Sequence, residues 1–180
     1  MTQPTAPPLG HNAATVGEKL TEREETVAVA ESLTGGLICS SLTDIPGSSA
    51  YFDRGVVTYS NQSKQELLAV PREDLEADGA VSEAVAQAMA QGVRDTAGTT
   101  WGVSTTGIAG PTGRTETKPV GLVYIGIAYA GPWGSDSSFV RTERHVFDGD
   151  REAVKTQSAV RALSALSTAI DTVSADTDSG

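Results

Sequence analysis

The sequence predicts an α/β protein, a three-layer α/β/α sandwich around a mixed, mostly parallel sheet. Three observations predict it. Apolar runs of strand length alternate with helix-period stripes, and strands separated by helices become parallel neighbours through right-handed crossovers. The last two strand-like runs are joined by the short turn GPWGSD (131–136), which implies an antiparallel hairpin. A length of 180 residues fits one domain with a sizeable core.

The elements follow in order. Residues 1–14 (MTQPTAPPLGHNAA) are Pro-rich and polar and are expected to form a disordered tail, as is 174–180 (SADTDSG). The folded domain is then 15–173. Residues 15–24 predict a short helix. Residues 26–31 (TVAVAE) predict a buried strand by run length and composition. A helix over 35–45 carries Leu37, Ile38, Ser41, Leu42 and Ile45 at helical spacing, and Pro46-Gly47 stops it. Residues 50–59 (AYFDRGVVTY) are rich in β-branched and aromatic types and predict a strand. Asn61 is placed to cap a helix over 62–69 with Leu67 and Leu68 inward, and Pro71 starts a further short helix. Ser82-Glu83 opens a helix over 83–97 whose stripe is Val85, Ala86, Met89, Ala90 and Val93. Residues 100–106 form a strand and 107–121 (GIAGPTGRTETKPVG) a long loop. Strands over 121–130 and 137–147 come next, then a helix over 151–172 opened by Asp148-Gly149-Asp150.

Composition excludes several function classes. The formal net charge is −10 and the 13 basic residues are scattered, so clustered phosphate neutralisation and nucleic-acid binding are not expected. The acidic surface suits a salt-rich cytoplasm, where screening relieves self-repulsion, and equally an ordinary acidic cytosolic protein. No stretch has the length of a membrane span and residues 1–20 lack a signal-peptide core, so no membrane association and a cytoplasmic location are expected. Cys39 is alone and reads as a buried small hydrophobe. His11 and His145 cannot build a usual zinc site, so no metal is expected.

The residues that could carry chemistry cluster first in TVAVAESLTGGLICSS (26–41). Ser32 follows a strand, precedes Thr34-Gly35-Gly36, and sits before a helix. Open α/β sheets hold ligands at the carboxyl ends of strands, and helix N-termini offer N–H groups to anions. A serine needs a base to become a nucleophile at neutral pH. Histidine is nearly absent, so no Ser-His-Asp triad or G-x-S-x-G elbow is available. Lysine is the remaining candidate. Lys64 follows Tyr59, Ser60 and Asn61 at the end of the next strand, beside Ser32 if the two strands are sheet neighbours. Its reference pKa of ~10.4 has to fall to ~7–8 for useful basicity. That shift costs roughly 4 kcal/mol, within reach of desolvation. Tyr59 could relay the proton or orient the pair, and amides near Thr34, Gly35 and Gly36 could stabilise an oxyanion. The alternative is that Ser32 caps a helix and Lys64 is a solvated first-turn residue.

Two further groups stand out. The 107–121 loop holds Gly107, Gly110, Gly113 and Gly121 behind Thr105 and Thr106, with Arg114 and Lys118 adding charge. Its amides could approach phosphate or carboxylate, or it is simply a surface loop with glycines at positive φ. Arg151, at the start of the last helix, could meet a phosphate or be a solvated residue behind an Asp cap.

Together AESLTGG, GSSAYFDRGVVTYSNQSK, GAVSE, TGIAGPTGRTETKPVG and FDGDREAV, in this order, resemble the carboxyl-terminal domain of the CinA family (competence/damage-inducible protein). That family includes stand-alone nicotinamide mononucleotide deamidases. The match spans about residues 15–170, and no counterpart of the amino-terminal molybdopterin-binding-like domain of full-length CinA is expected. The resemblance implies a three-layer α/β/α fold and an amidohydrolase that converts nicotinamide mononucleotide and water to nicotinic acid mononucleotide and ammonia. It places nucleophile, base and tyrosine on Ser32, Lys64 and Tyr59, and the anion side on Thr34, Gly35 and Gly36. Thr106, Gly107, Ala109, Gly110 and Pro111 would meet the ligand, and Arg151 would face its phosphate. No metal or organic cofactor is implied. The partner is a small-molecule nucleotide, and a homo-oligomer is expected. Leu33 stands where the family commonly has cysteine, Thr106 where it has serine, and Arg114 where it has glycine. A non-catalytic nucleotide-binding module using the same cleft is the competing reading, and a structural subunit of a separate CinA-type partner is a third.

Overall fold

The computed structural model describes residues 8–178, and the tail expected at 1–7 and 179–180 lies outside them. Five strands form one mixed sheet in the order β2-β1-β3-β4-β5. β1 is Val27–Glu31, β2 Phe52–Val57, β3 Trp101–Gly107, β4 Leu122–Tyr129 and β5 Phe139–Val146. β1 pairs parallel with both β2 and β3, while β4 is antiparallel to β3 and to β5. Every strand except β4 therefore points the same way, as expected of a mostly parallel mixed sheet. The hairpin expected from GPWGSD is the β4–β5 pair.

The helices divide between the two faces. On one lie α1 (Leu9–Glu22), α2 (Leu37–Thr43) and α6 (Arg151–Asp178). They share a core with Val27 and Val29 of β1, Trp101 and Val103 of β3, and Ile125 and Ile127 of β4. On the other lie α3 (Asn61–Leu68), α4 (Arg72–Ala77) and α5 (Glu83–Ala97). Ala28 and Ala30 of β1 meet Leu68, Leu75, Val85, Met89 and Val93 there. The result is the α/β/α sandwich. β1 is buried at all five positions, because a central parallel strand is covered on both faces.

α5 shows how sequence sets layer spacing. Its stripe Val85, Ala86, Met89, Ala90 and Val93 is fully buried, each large member contributing about 1.5–3 kcal/mol relative to exposure. Opposite Ala86 and Ala90 the sheet carries Gly102 and Gly126. A Cβ on Gly102 would run into the Ala90 carbonyl oxygen, and one on Gly126 would sit 2.5 Å from that of Ala86. Small residues on both sides let the helix backbone lie on the strands, and Ser104 Oγ donates to the Ala86 carbonyl at 2.6 Å.

Several expectations are corrected. α1 begins at Leu9, so residues 9–14 are helix and not tail: Asn12 and Ala13 are buried with Val16 and Leu20. Lys19 binds Ser167 and Asp171 of α6 at 2.8 and 2.7 Å, and this packing overrides the polar composition. α6 likewise continues through 174–178, where Arg23 Nη1 donates to Ser174 Oγ at 2.6 Å. The α3 cap is Ser60, whose hydroxyl accepts from the Ser63 amide, which turns Leu67 outward and Leu68 inward. Cys39 is half-buried rather than fully buried, and burial beside Glu31 pushes its thiol pKa well up. No described helix is long and apolar enough to cross a membrane.

Candidate active site

The carboxyl ends of β2, β1 and β3 lie side by side. Glu31 is in register with Val57 on one side and Thr105 on the other. Ser32, the next residue, is nearly buried and its amide donates to the Thr105 carbonyl at 3.0 Å. Thr58 and Tyr59 leave β2, and the Gly-rich loop leaves β3 after Gly107. This is the crevice where open α/β sheets place their ligands.

Lys64 comes to Ser32 from α3. The Ser60 cap starts the helix at Asn61, so the first turn aims residue 64 at the sheet end. The side chain is only 1% exposed. Its Nζ donates to the Thr58 carbonyl at 2.7 Å and lies 3.3 Å from Ser32 Oγ. Burial disfavours the ammonium form and brings the lysine pKa down to about 8. A neutral amine can donate to Thr58 and still offer its lone pair to the serine hydroxyl. The solvated alternative for Lys64 is thereby removed.

The turn behind Ser32 is built around Glu31, a residue that sequence reasoning passed over. Its carboxylate is fully buried and accepts from three amides: Gly36 at 3.0 Å, Ile38 at 3.2 Å and Cys39 at 2.9 Å. These are N–H groups at the start of α2, which a carboxylate satisfies and whose dipole it complements. Gly35 and Gly36 turn with φ of 61° and 101°, a left-handed path that suits residues without Cβ. The Gly35 amide donates to the Ser32 carbonyl at 3.1 Å and that of Leu37 to Thr34 at 3.2 Å. The α2 N-terminus is therefore closed to an external anion. Of the amides near Thr34, Gly35 and Gly36 expected at an oxyanion, those of Gly35 and Gly36 already have partners. The amides of Leu33 and Thr34 make no hydrogen bond among the described residues. An acidic residue ending an otherwise apolar strand was the available signal for Glu31.

Other expected residues fall into separate groups. Thr34 is buried and shares a 2.7 Å hydroxyl pair with Thr105. Tyr59 is exposed and its hydroxyl accepts from Arg151 Nη2 at 3.0 Å; it makes no hydrogen bond to Ser32 or Lys64. Arg151 also donates from Nη1 to the Gly110 carbonyl at 2.8 Å. It thus spans from the end of β2 to the loop after β3, across the end of β1, where Ser32 sits. Asp150, as expected, opens α6 by accepting from the Ala153 amide at 2.9 Å. Thr106 is drawn away: β3 alternation turns it to the α5 face, where its hydroxyl donates to the Ala80 carbonyl at 2.6 Å. Within the loop Ala109 is buried, Gly107 is half-buried and Pro111 is exposed.

Lys155 was not expected. It stands one helical turn after Arg151, and its Nζ lies 3.8 Å from the position a Cβ on Gly35 would take. A cavity of about 350 Å³ is lined by Leu37, Arg151, Glu152, Lys155 and Thr156. Neither Arg151 nor Lys155 is in an ion pair among the described residues. The R-x-x-x-K spacing was the signal. His145 lies on the outer strand β5, 2.8 Å from Glu143, which Arg161 also binds. Burial raises the Glu143 pKa, but the bonds from Arg161 and His145 outweigh it and hold the carboxyl low. Among the described residues no group of three His, Cys, Asp or Glu could hold a metal ion.

The model of the CinA C-terminal domain matches residues 10–170. A CinA-like protein from Nostoc sp. is 54% identical over 159 residues, 88% of this chain and 37% of that protein. A CinA-like protein from Anaeromyxobacter sp. is 48% identical over 152 residues, 84% of this chain and 36% of that protein. The chain thus spans about a third of the length of these curated relatives. Among solved structures, the competence/damage inducible protein CihA of Agrobacterium tumefaciens superposes with a TM-score of 0.84 at 35% identity, over 95% of this chain and 99% of that one. The competence damage-inducible protein A of Klebsiella pneumoniae gives 0.83 at 33% identity, over 90% and 96%.

Proposed function

The chain belongs to the CinA C-terminal domain family, and we propose that it is an amidohydrolase acting on nicotinamide mononucleotide through Ser32 and Lys64. The observation that carries this reading is the buried Lys64–Ser32 pair at a strand end, with the lysine pKa brought to about 8. Its chemistry follows the geometry. Neutral Lys64 takes the Ser32 hydroxyl proton as Oγ attacks the carboxamide carbon. The carbonyl π electrons move to oxygen, and the amides of Leu33 and Thr34 are the donors left to receive that oxyanion. Collapse breaks the C–N bond, and the proton held by Lys64 goes to the departing nitrogen, releasing ammonia. Water, deprotonated by Lys64, then cleaves the Ser32 ester to give the carboxylate and restore the serine.

The phosphate of the substrate is assigned to Arg151 and Lys155, which line one cavity and have no carboxylate partner among the described residues. Tyr59 is assigned to holding Arg151 rather than to proton relay, because its hydroxyl bonds that guanidinium. The test is ammonia release from nicotinamide mononucleotide by wild type and Ser32→Ala, at low and high salt. Turnover lost in the variant supports the reading. No wild-type turnover, or equal turnover in both, removes it; tight binding without hydrolysis would then indicate a binding module.

A further inference from the structure

We infer that Glu31 is a positioning residue for the reaction, acting through the turn that carries Ser32. The inference rests on the Ser32/Lys64 reading above. The carboxylate is wholly enclosed, at the end of a strand held on both sides: the Glu31 carbonyl accepts from the Thr58 amide at 2.9 Å, and Ser32 binds Thr105. From that anchored base it reaches over Ser32–Gly35 to the amides of Gly36, Ile38 and Cys39. Both ends of the segment are thereby pinned to one side chain.

Two consequences follow for the site. The bonds from Gly36, Ile38 and Cys39 cancel the anion affinity of the α2 start, so negative charge developing on a substrate is not drawn there. Within the pinned segment, the internal bonds from Gly35 to Ser32 and from Leu37 to Thr34 leave two amides over, those of Leu33 and Thr34. Glu31 therefore sets which N–H groups of the turn are left unbonded for a reacting carbonyl and fixes the Ser32 backbone against Lys64. It touches no substrate.

The charge at Glu31 is not enough by itself; its reach matters. In Glu31→Gln one carboxylate oxygen becomes an NH₂ that must confront a backbone N–H. In Glu31→Asp the charge stays but the shorter side chain cannot span the same three amides.

The experiment compares wild type, Glu31→Gln, Glu31→Asp and Ser32→Ala in the ammonia assay. Both Glu31 variants are expected to lose about 10²-fold in kcat, the scale of a misplaced oxyanion donor, with KM changed by less than about threefold. A folded Glu31→Gln with wild-type kcat overturns the inference. So does an Asp variant that keeps full kcat while Gln loses it, because charge would then suffice. If the wild type itself releases no ammonia, the Ser32/Lys64 reading fails and this inference with it, and that outcome is distinct from the other two. Should the Gln variant not fold, amide hydrogen exchange in the wild type decides. Gly36, Ile38 and Cys39 should exchange slowly, and exchange at Leu33 and Thr34 should slow once a serine-directed phosphonate occupies Ser32. Fast exchange at Gly36, Ile38 and Cys39, or unchanged exchange at Leu33 and Thr34, overturns it.

Discussion

Lys64 Nζ lies 3.3 Å from Ser32 Oγ although the residues are 32 positions apart, and the lysine is anchored by the Thr58 carbonyl at 2.7 Å. The parallel pairing of β1 with β2 creates this relationship, because it brings the end of one strand beside the helix that follows the other.

The proposed reaction makes Lys64 a base that must be neutral, and this imposes a pH dependence. With the Lys64 pKa at about 8, kcat/KM should rise with pH up to about 8 and level off above it. Lys64→Ala should cut kcat about 10³-fold and flatten the profile. A profile that is flat in the wild type would contradict the assignment.

The same shift predicts a stability signature. The folded pKa is below the unfolded one, so between pH ~8 and ~10.4 the unfolded state binds more protons and this group's contribution to stability rises with pH. Below pH ~8 the cost of holding the buried ammonium is fully present. Wild type should therefore gain stability relative to Lys64→Met on going from pH 7 to pH 10, by up to about 3 kcal/mol. Urea unfolding of both proteins at the two pH values checks it.

Arg151 and Lys155 should act on binding more than on chemistry. Arg151→Ala and Lys155→Ala are each expected to raise KM for nicotinamide mononucleotide about tenfold, the scale of one charge-assisted contact. The corresponding nucleoside, lacking phosphate, should be insensitive to both. Tyr59→Phe, which removes the hydroxyl that Arg151 binds, should raise KM modestly and leave kcat near wild type. A large kcat loss in Tyr59→Phe would return the tyrosine to proton transfer.

The seat of α5 on the sheet predicts a steric cost. Gly102→Ala should destabilise by about 3 kcal/mol, the upper end of overpacking, since the added methyl meets the Ala90 backbone rather than a mobile side chain. Gly10→Ala, with nothing within 4 Å of the new methyl, should be neutral or stabilising. Thermal unfolding of the two variants distinguishes them.

Much of this molecule was legible in one dimension. The buried run VAVAE, the α5 stripe, the Ser82 and Asp150 caps and the short β4–β5 connection are local patterns, and local patterns report periodicity and turn chemistry directly. They were enough for the sandwich, and the scarcity of histidine was enough to turn attention from His145 to Lys64. Three-dimensional packing decided the rest. It made residues 9–14 helical by burying Asn12 and Ala13 against α6, which composition could not signal. It sent the Thr106 hydroxyl to Ala80 and the Tyr59 hydroxyl to Arg151, since hydrogen-bond partners depend on which elements meet. It brought the Glu31 carboxylate onto the α2 amides, leaving the amides of Leu33 and Thr34 unbonded where Thr34, Gly35 and Gly36 were expected. The sequence by itself determined the main elements, their order and the candidates Ser32 and Lys64. Tertiary structure decided the lysine's basicity and the free donors, because desolvation and hydrogen-bond satisfaction are properties of the folded surroundings rather than of any residue.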